Sequence, residues 1–196
     1  VEGREIGEIW GLQTIGIAKS EEEMQAHLSS LPKGGQEAIG SKWSAGDIMY
    51  RDLNGDGKIS KGASTLDDHG DLKVIGNSTP RYFFGIDLNA DWKGFDVRLF
   101  FQGVMKRDYW GKDNFCGYLF GARGDKDMWH AHGLVEHQDY FRAQAIGIDG
   151  HELPANLDAY YPRPVFKEGA KNQETQSRYL QDASYIRLKN FQLGYT

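Results

Sequence analysis

The residues with the clearest chemistry lie in Asp52-Leu53-Asn54-Gly55-Asp56-Gly57-Lys58-Ile59-Ser60. Their spacing matches the first nine positions of an EF-hand-type calcium loop. Ca2+ is a hard cation that takes about six to eight oxygen ligands. Asp52, Asn54 and Asp56 offer oxygens at alternate positions, which a tight loop turns inward. Gly57 permits the sharp bend, Lys58 would offer its backbone carbonyl, and Ile59 would anchor the loop in a small core. Ser60 could bind by its hydroxyl or through water. Position twelve is Ala63, so the usual bidentate acid is missing there. The acids resume at Asp67, Asp68 and Asp71, which predicts an expanded loop closed by Asp67 or Asp71, with Asp67 favoured. No incoming helix precedes Asp52, so an EF-hand sensor is not expected, and a metal-free Asx-rich turn would use the same residues. The expected role of the calcium is structural, pinning a long loop.

Other constellations are weaker. His130 and His132 would not share a helix face, and the 2+5 spacing of His130, His132 and His137 matches no standard zinc pattern, so they read as surface histidines. Glu136 and Asp139 form a carboxylate pair only in sequence, which says nothing of the separation a glycosidase needs. Trp110, Trp129, Tyr160 and Tyr161 could stack on a sugar, but packing within a loop is the simpler use. The one cysteine, Cys116, excludes an intrachain disulfide. No GxSxG, HExxH, P-loop or GxGxxG occurs, and no enzyme is expected.

The elements that must position these residues are mostly strands. The 196 residues suffice for a sizeable core, and 13% aromatics with 25 Gly and five Pro favour β structure with many turns. A net charge of -5 without a basic stripe argues against nucleic acid as a partner. No run of about 18 apolar residues is present, but a transmembrane strand needs only about ten alternating ones. In 82–92 the even positions are Tyr82, Phe84, Ile86, Leu88, Ala90 and Trp92, against Gly85, Asp87, Asn89 and Asp91. After Lys93-Gly94 the pattern resumes with Phe95, Val97, Leu99 and Phe101, which predicts a β-hairpin. Aromatics near the ends of the apolar face resemble a membrane girdle, although the same alternation would serve a hairpin over a soluble core.

Elsewhere, 4–17 reads as a strand with an irregularity near Gly11. Ser20 caps a helix to about Leu31, with Glu23 placed for a capping box. Residues 183–195 read as a strand whose parity slips near Asn190, the mark of a bulge. Between these, 36–78 and 105–183 are predicted as long loops, the second with helical pieces at 126–132 and 134–145. The fold class expected is all-β: about four strands, at 4–17, 80–92, 94–104 and 184–195, of a large antiparallel transmembrane β-barrel. External loops would span 18–79 and 105–183.

Taken in order, five segments resemble the C-terminal third of SusC/RagA-type TonB-dependent transporters of the Bacteroidetes. They are Ile6-Gly7-Glu8-Ile9-Trp10-Gly11; Gly46-Asp47-Ile48-Met49-Tyr50-Arg51-Asp52 running on to Gly57; Val74-Ile75-Gly76-Asn77-Ser78-Thr79-Pro80-Arg81-Tyr82; Trp92-Lys93-Gly94-Phe95-Asp96 with Phe100-Phe101-Gln102-Gly103; and Ala183-Ser184-Tyr185-Ile186-Arg187-Leu188-Lys189-Asn190-Phe191-Gln192-Leu193-Gly194-Tyr195. The order makes the resemblance specific, and it runs over nearly the whole chain. Ala63 departs from it, since many relatives carry an acid there.

The resemblance implies a 22-stranded, plugged barrel in the outer membrane, of which this chain is a fragment. It implies import of glycans, oligosaccharides or peptides, a SusD-like surface lipoprotein as lid, TonB as energy source through segments outside this chain, and contact with outer-membrane lipid. It also allows a dimer of transporter–lipoprotein pairs. Barrels have short periplasmic turns, which would put Lys93-Gly94 in the periplasm and the calcium motif outside the cell. The alternative weighed here is a soluble calcium-dependent carbohydrate-binding module, which requires its apolar sheet face to be buried.

Overall fold

A computed structural model describes residues 3–111, 135–148, 150–165 and 169–196. The strands in chain order are β1 Glu8–Leu12, β2 Thr14–Ile17, β3 Ile48–Tyr50, β4 Leu72–Asn77, β5 Tyr82–Trp92, β6 Phe95–Met105, β7 Asp108–Tyr109, β8 Ile146–Ile148, β9 His151–Leu153, β10 Gln181–Asp182 and β11 Tyr185–Tyr195. One α-helix, α1, spans Glu21–Ser29. No helix among the described residues is long and apolar enough to cross a membrane, which leaves strands as the means of crossing open. The chain divides into two compact units: Val1–Arg4, Trp10–Ile75 and Gly111–Tyr179 form the first, and Glu5–Ile9, Gly76–Trp110 and Leu180–Thr196 the second.

The second unit is built on a three-stranded antiparallel sheet in the order β11-β6-β5. Each of the three strands is 11 residues long. The hairpin joining β5 to β6 turns on Lys93 (φ 48°) and Gly94 (φ 85°), both in the left-handed region. Two positive φ values in a two-residue turn define type I′, whose twist matches that of paired strands. Gly94 is needed there: a Cβ would lie 2.7 Å from the Thr196 carbonyl oxygen. Pairing runs without a break from Tyr82↔Met105 to Trp92↔Phe95. On the other side Leu188 pairs with Phe101 and Asn190 with Phe100, so Lys189 is an extra residue. The bulge answers the parity slip in the sequence.

The first unit gathers what the sequence presents as two separate loops. α1 begins as expected: the Glu23 N–H donates to Ser20 Oγ (3.2 Å). The second half of the capping box differs, because Glu23 Oε2 accepts from the Lys19 N–H (2.6 Å), one residue before the cap. Leu12, Met24, Ile48, Tyr50, Ile59 and Tyr179 are buried. β2 pairs with β3, and β1 pairs with β4. The strand expected over 4–17 is therefore two short strands with different partners, broken at Gln13 rather than at Gly11. The Gln13 carbonyl instead accepts the Arg51 N–H (2.8 Å).

The helix expected over 134–145 is also not found. A short 3-10 turn covers Val135–Gln138, after which Phe141 and Arg142 are buried with extended partners. Phe141 N–H donates to Tyr161 O (3.0 Å) and Arg142 N–H to Asn156 O (3.0 Å), so tertiary pairing takes the amides a helix would use. The helical piece expected at 126–132 lies outside the described residues.

Candidate functional site

The Asp-rich motif forms a closed turn held by its own side chains. Gly55 N–H and Gly57 N–H donate to Asp52 Oδ1 (2.6 Å) and Oδ2 (2.9 Å). Asp56 N–H donates to Asn54 Oδ1 (2.9 Å), and Lys58 N–H to Asp56 Oδ1 (3.0 Å). Gly55 and Gly57 sit at φ 71° and 83°, which explains the glycines. Ile59 is fully buried beneath the turn, and its N–H donates to Gly35 O (2.7 Å).

Asp71 straps the turn shut. It is fully buried, and its Oδ1 accepts from Leu53 N–H (2.8 Å) while Oδ2 accepts from Ser60 N–H (2.7 Å). One carboxylate thus ties both ends of the motif together. Asp67 is exposed, and Asp68 instead accepts from Ala63 N–H (3.0 Å). The structure brings Asp52, Asn54, Asp56 and Asp71 into one network and leaves Asp67 out of it. Among the described residues no three His, Cys, Asp or Glu side chains gather as a metal cluster. The oxygens of the turn are of the hard type calcium prefers, and they point at loop amides that a bound cation would displace.

A second polar centre is built from residues that form no site motif in the sequence. Asp47 is fully buried, and Lys171 and Asn172 are buried with it. Lys171 Nζ donates to Asp47 Oδ2 (2.7 Å) and to the carbonyls of Ser41 (3.0 Å) and Lys42 (2.9 Å). Asn172 Nδ2 donates to Asp47 Oδ1 (2.9 Å), and Arg163 grips both oxygens through Nε and Nη2 (3.0 Å each). Burial pushes the Asp47 carboxyl up. The bonds from Arg163, Lys171 and Asn172, with the Lys171 charge, outweigh it and hold the carboxyl below its ordinary range.

The same centre reaches β3. Ile48 N–H donates to Asn172 Oδ1 (3.0 Å), and Tyr50 Oη donates to Lys171 O (2.7 Å). Gln36, also buried, accepts from Tyr50 N–H (2.6 Å) and donates to Ile48 O (3.1 Å). Residues more than 120 apart in sequence are thereby pinned together. Only the apolar triplet Ile48-Met49-Tyr50 beside a lone Asp signals this in the sequence.

The third feature is the two-faced sheet. On one face lie Tyr82, Phe84, Ile86, Leu88, Ala90 and Trp92 of β5 and, across from them, Met105, Gly103, Phe101, Leu99, Val97 and Phe95 of β6. The bulge keeps β11 in step, so Ile186, Leu188, Phe191, Leu193 and Tyr195 join that face. No charged residue holds a paired position on it. Far from being buried, it leaves Trp92 69%, Phe191 61% and Leu193 62% exposed. The opposite face carries Asp87, Asn89, Asp91, Asp96, Arg98, Gln102, Arg187 and Gln192. There Arg98 Nε donates to Asp87 Oδ1 (3.1 Å).

Of the aromatic candidates, Tyr160 and Tyr161 pack with Tyr179, at ring-centroid distances of 4.9 and 5.4 Å from Tyr160, and both Tyr161 and Tyr179 are buried. They therefore pack as expected instead of forming an open platform. Trp110 is half-buried. Asp139 accepts from Asn156 Nδ2 (2.7 Å) and is exposed. Cys116, Trp129, His130 and His132 lie outside the described residues, as do the side chains of Glu136 and His137.

No family model matches the chain. Three curated proteins of Formosa agariphila are similar to it. TonB-dependent receptor P3 is 27% identical over 99% of this chain, and TonB-dependent receptor P26 is 24% identical over 98%. TonB-dependent receptor P39 is 26% identical over 77% of the chain. The chain spans only 15%, 16% and 12% of the lengths of these relatives.

Proposed function

We propose that this chain, a stretch of a TonB-dependent receptor, forms part of the wall and the external loops of a SusC/RagA-type outer-membrane barrel that imports nutrients. The observation that carries the reading is the sheet β11-β6-β5, whose paired positions on one face carry no charge and whose large apolar side chains there are mostly exposed. Eleven residues at about 3.3 Å each give roughly 35 Å of strand. At a tilt of about 45° such a strand spans about 25 Å, the height of the apolar band of an outer-membrane barrel. The polar face then lines the lumen. A soluble carbohydrate-binding module draws no support, because that module would bury the face that lies open here.

In the intact protein, TonB acts through segments elsewhere in the chain. A SusD-like lipoprotein closes the outer mouth, and the cargo is a glycan, oligosaccharide or peptide. The short turn at Lys93-Gly94 faces the periplasm, and the connections that include the Asp-rich turn and the Asp47 centre lie outside. We further assign to the Asp-rich turn a structural Ca2+ held by Asp52, Asn54, Asp56 and the Lys58 carbonyl. Asp71 stays on the backbone amides it already bonds. The supply of calcium outside the cell suits a weak site of this kind.

Cysteine labelling of the full-length receptor in intact outer membranes tests the wall. In a cysteine-free background, Arg98→Cys is expected to react with a water-soluble maleimide, and Leu99→Cys to stay protected. Equal labelling of the two would refute a lipid-facing sheet.

A further inference from the structure

Both ends of the apolar face finish in the same way. At the turn, Lys93 has φ 48°, and its Nζ lies 4.8 Å from the centroid of the Trp92 ring. At the far end, Lys106 has φ 52°, and its Nζ lies 5.9 Å from the Tyr82 ring centroid. Positive φ is uncommon for residues other than Gly, Asn and Asp. Here it occurs at the lysine following the last β5 residue and at the lysine following the last β6 residue. Strand alternation would put Lys106 with the polar set, since the pair before it, Tyr82↔Met105, is on the apolar face. The left-handed backbone breaks that alternation and brings the ammonium over an apolar-face aromatic.

We propose that Lys93 and Lys106 bind lipid phosphates at the two boundaries of the apolar band and so fix the depth of this wall in the membrane. The inference rests on the barrel reading above. The partner follows from charge and spacing. Two exposed cations bracket a sheet face with no charge at its paired positions. The face has the height of a hydrocarbon layer, and phosphates are the anions found at both surfaces of that layer. Trp92 and Tyr82 are the residue types that settle at that level, and each holds its ammonium by cation–π attraction. At the far end Arg81 and Arg107 are also exposed beside Lys106, although Arg81 is bonded to Glu5 (2.6 Å).

The test compares the full-length receptor with Lys93→Asn and Lys106→Asn, singly and together. Asparagine accepts the left-handed backbone, and Asn-Gly is a favoured type I′ pair, so the variants keep the turn while losing the charge. Each protein is equilibrated with mixed micelles of phosphatidylglycerol and an uncharged galactolipid, and retained lipid is counted by native mass spectrometry. The wild type is expected to prefer phosphatidylglycerol, with the preference falling about fivefold for each lysine removed. Unchanged preference in the double variant would overturn the proposal. Heat-modifiable mobility of the same samples separates the two readings. A compact unheated form with unchanged lipid preference sinks the anchors alone, whereas a wild type with no compact form sinks the barrel itself.

Discussion

Asp47 is the residue on which the first unit turns. Its carboxylate is buried and receives bonds from Arg163, Lys171 and Asn172. Removing one partner of a buried pair costs about 3–5 kcal/mol, because the other charge is left unpaired. Asp47→Asn should therefore open this unit in the full-length receptor, seen as rapid proteolysis within 36–50 and 169–179 at neutral pH. The pH dependence has a definite sign. The folded carboxyl titrates below its ordinary value, so its contribution is complete above the unfolded value of about 3.9 and fades as pH falls through the lower folded one. The wild type should thus keep its resistance at about pH 5 and lose it only in stronger acid. Loss of resistance between neutral pH and about pH 5 would contradict this assignment.

Among the elements, the Asp-rich turn and the sheet were legible to different degrees. Calcium should protect the turn. In the full-length receptor, chelation is expected to raise cleavage within 52–71 severalfold, and Asp52→Asn with Asp56→Asn should abolish the calcium effect. Asp67→Asn, which touches neither end of the turn, should leave it intact. Cleavage independent of calcium in the unmutated protein would leave a metal-free Asx turn as the better description. The sequence showed the first three oxygens because their spacing is local. It could not separate Asp67 from Asp71, since closing the turn depends on how the chain returns from 61 to 70.

The hairpin was visible for the same local reason: period-two alternation over two arms and a Lys-Gly turn. The parity slip near Asn190 likewise announced the bulge, but only the register shows its purpose, which is to keep Phe191, Leu193 and Tyr195 beside Leu99, Val97 and Phe95. The first unit was hidden. Its core is made by pairs such as Asp47–Lys171 and Tyr50–Gln176 that lie far apart in the chain, and by strands as short as Ile48–Tyr50. Three residues carry no periodicity, so two packed segments read as loops in the sequence. The break at Gln13 has no local signal, because its cause, a carbonyl bonded to Arg51, is tertiary as well.

At the scale of the whole molecule, a sheet of three long strands with an open apolar face and two outer edges is not a complete structure in water. Lipid covers the face and neighbouring strands cover the edges if the sheet belongs to a barrel wall. The similarity to a TonB-dependent receptor runs over 99% of the chain but only 15% of that relative's length. The most direct measurement is outer-membrane fractionation of the full-length protein, with its gel mobility read before and after heating. Recovery in the outer membrane with a compact unheated form is the predicted result. Recovery as a soluble protein whose mobility does not change on heating would contradict the central claim.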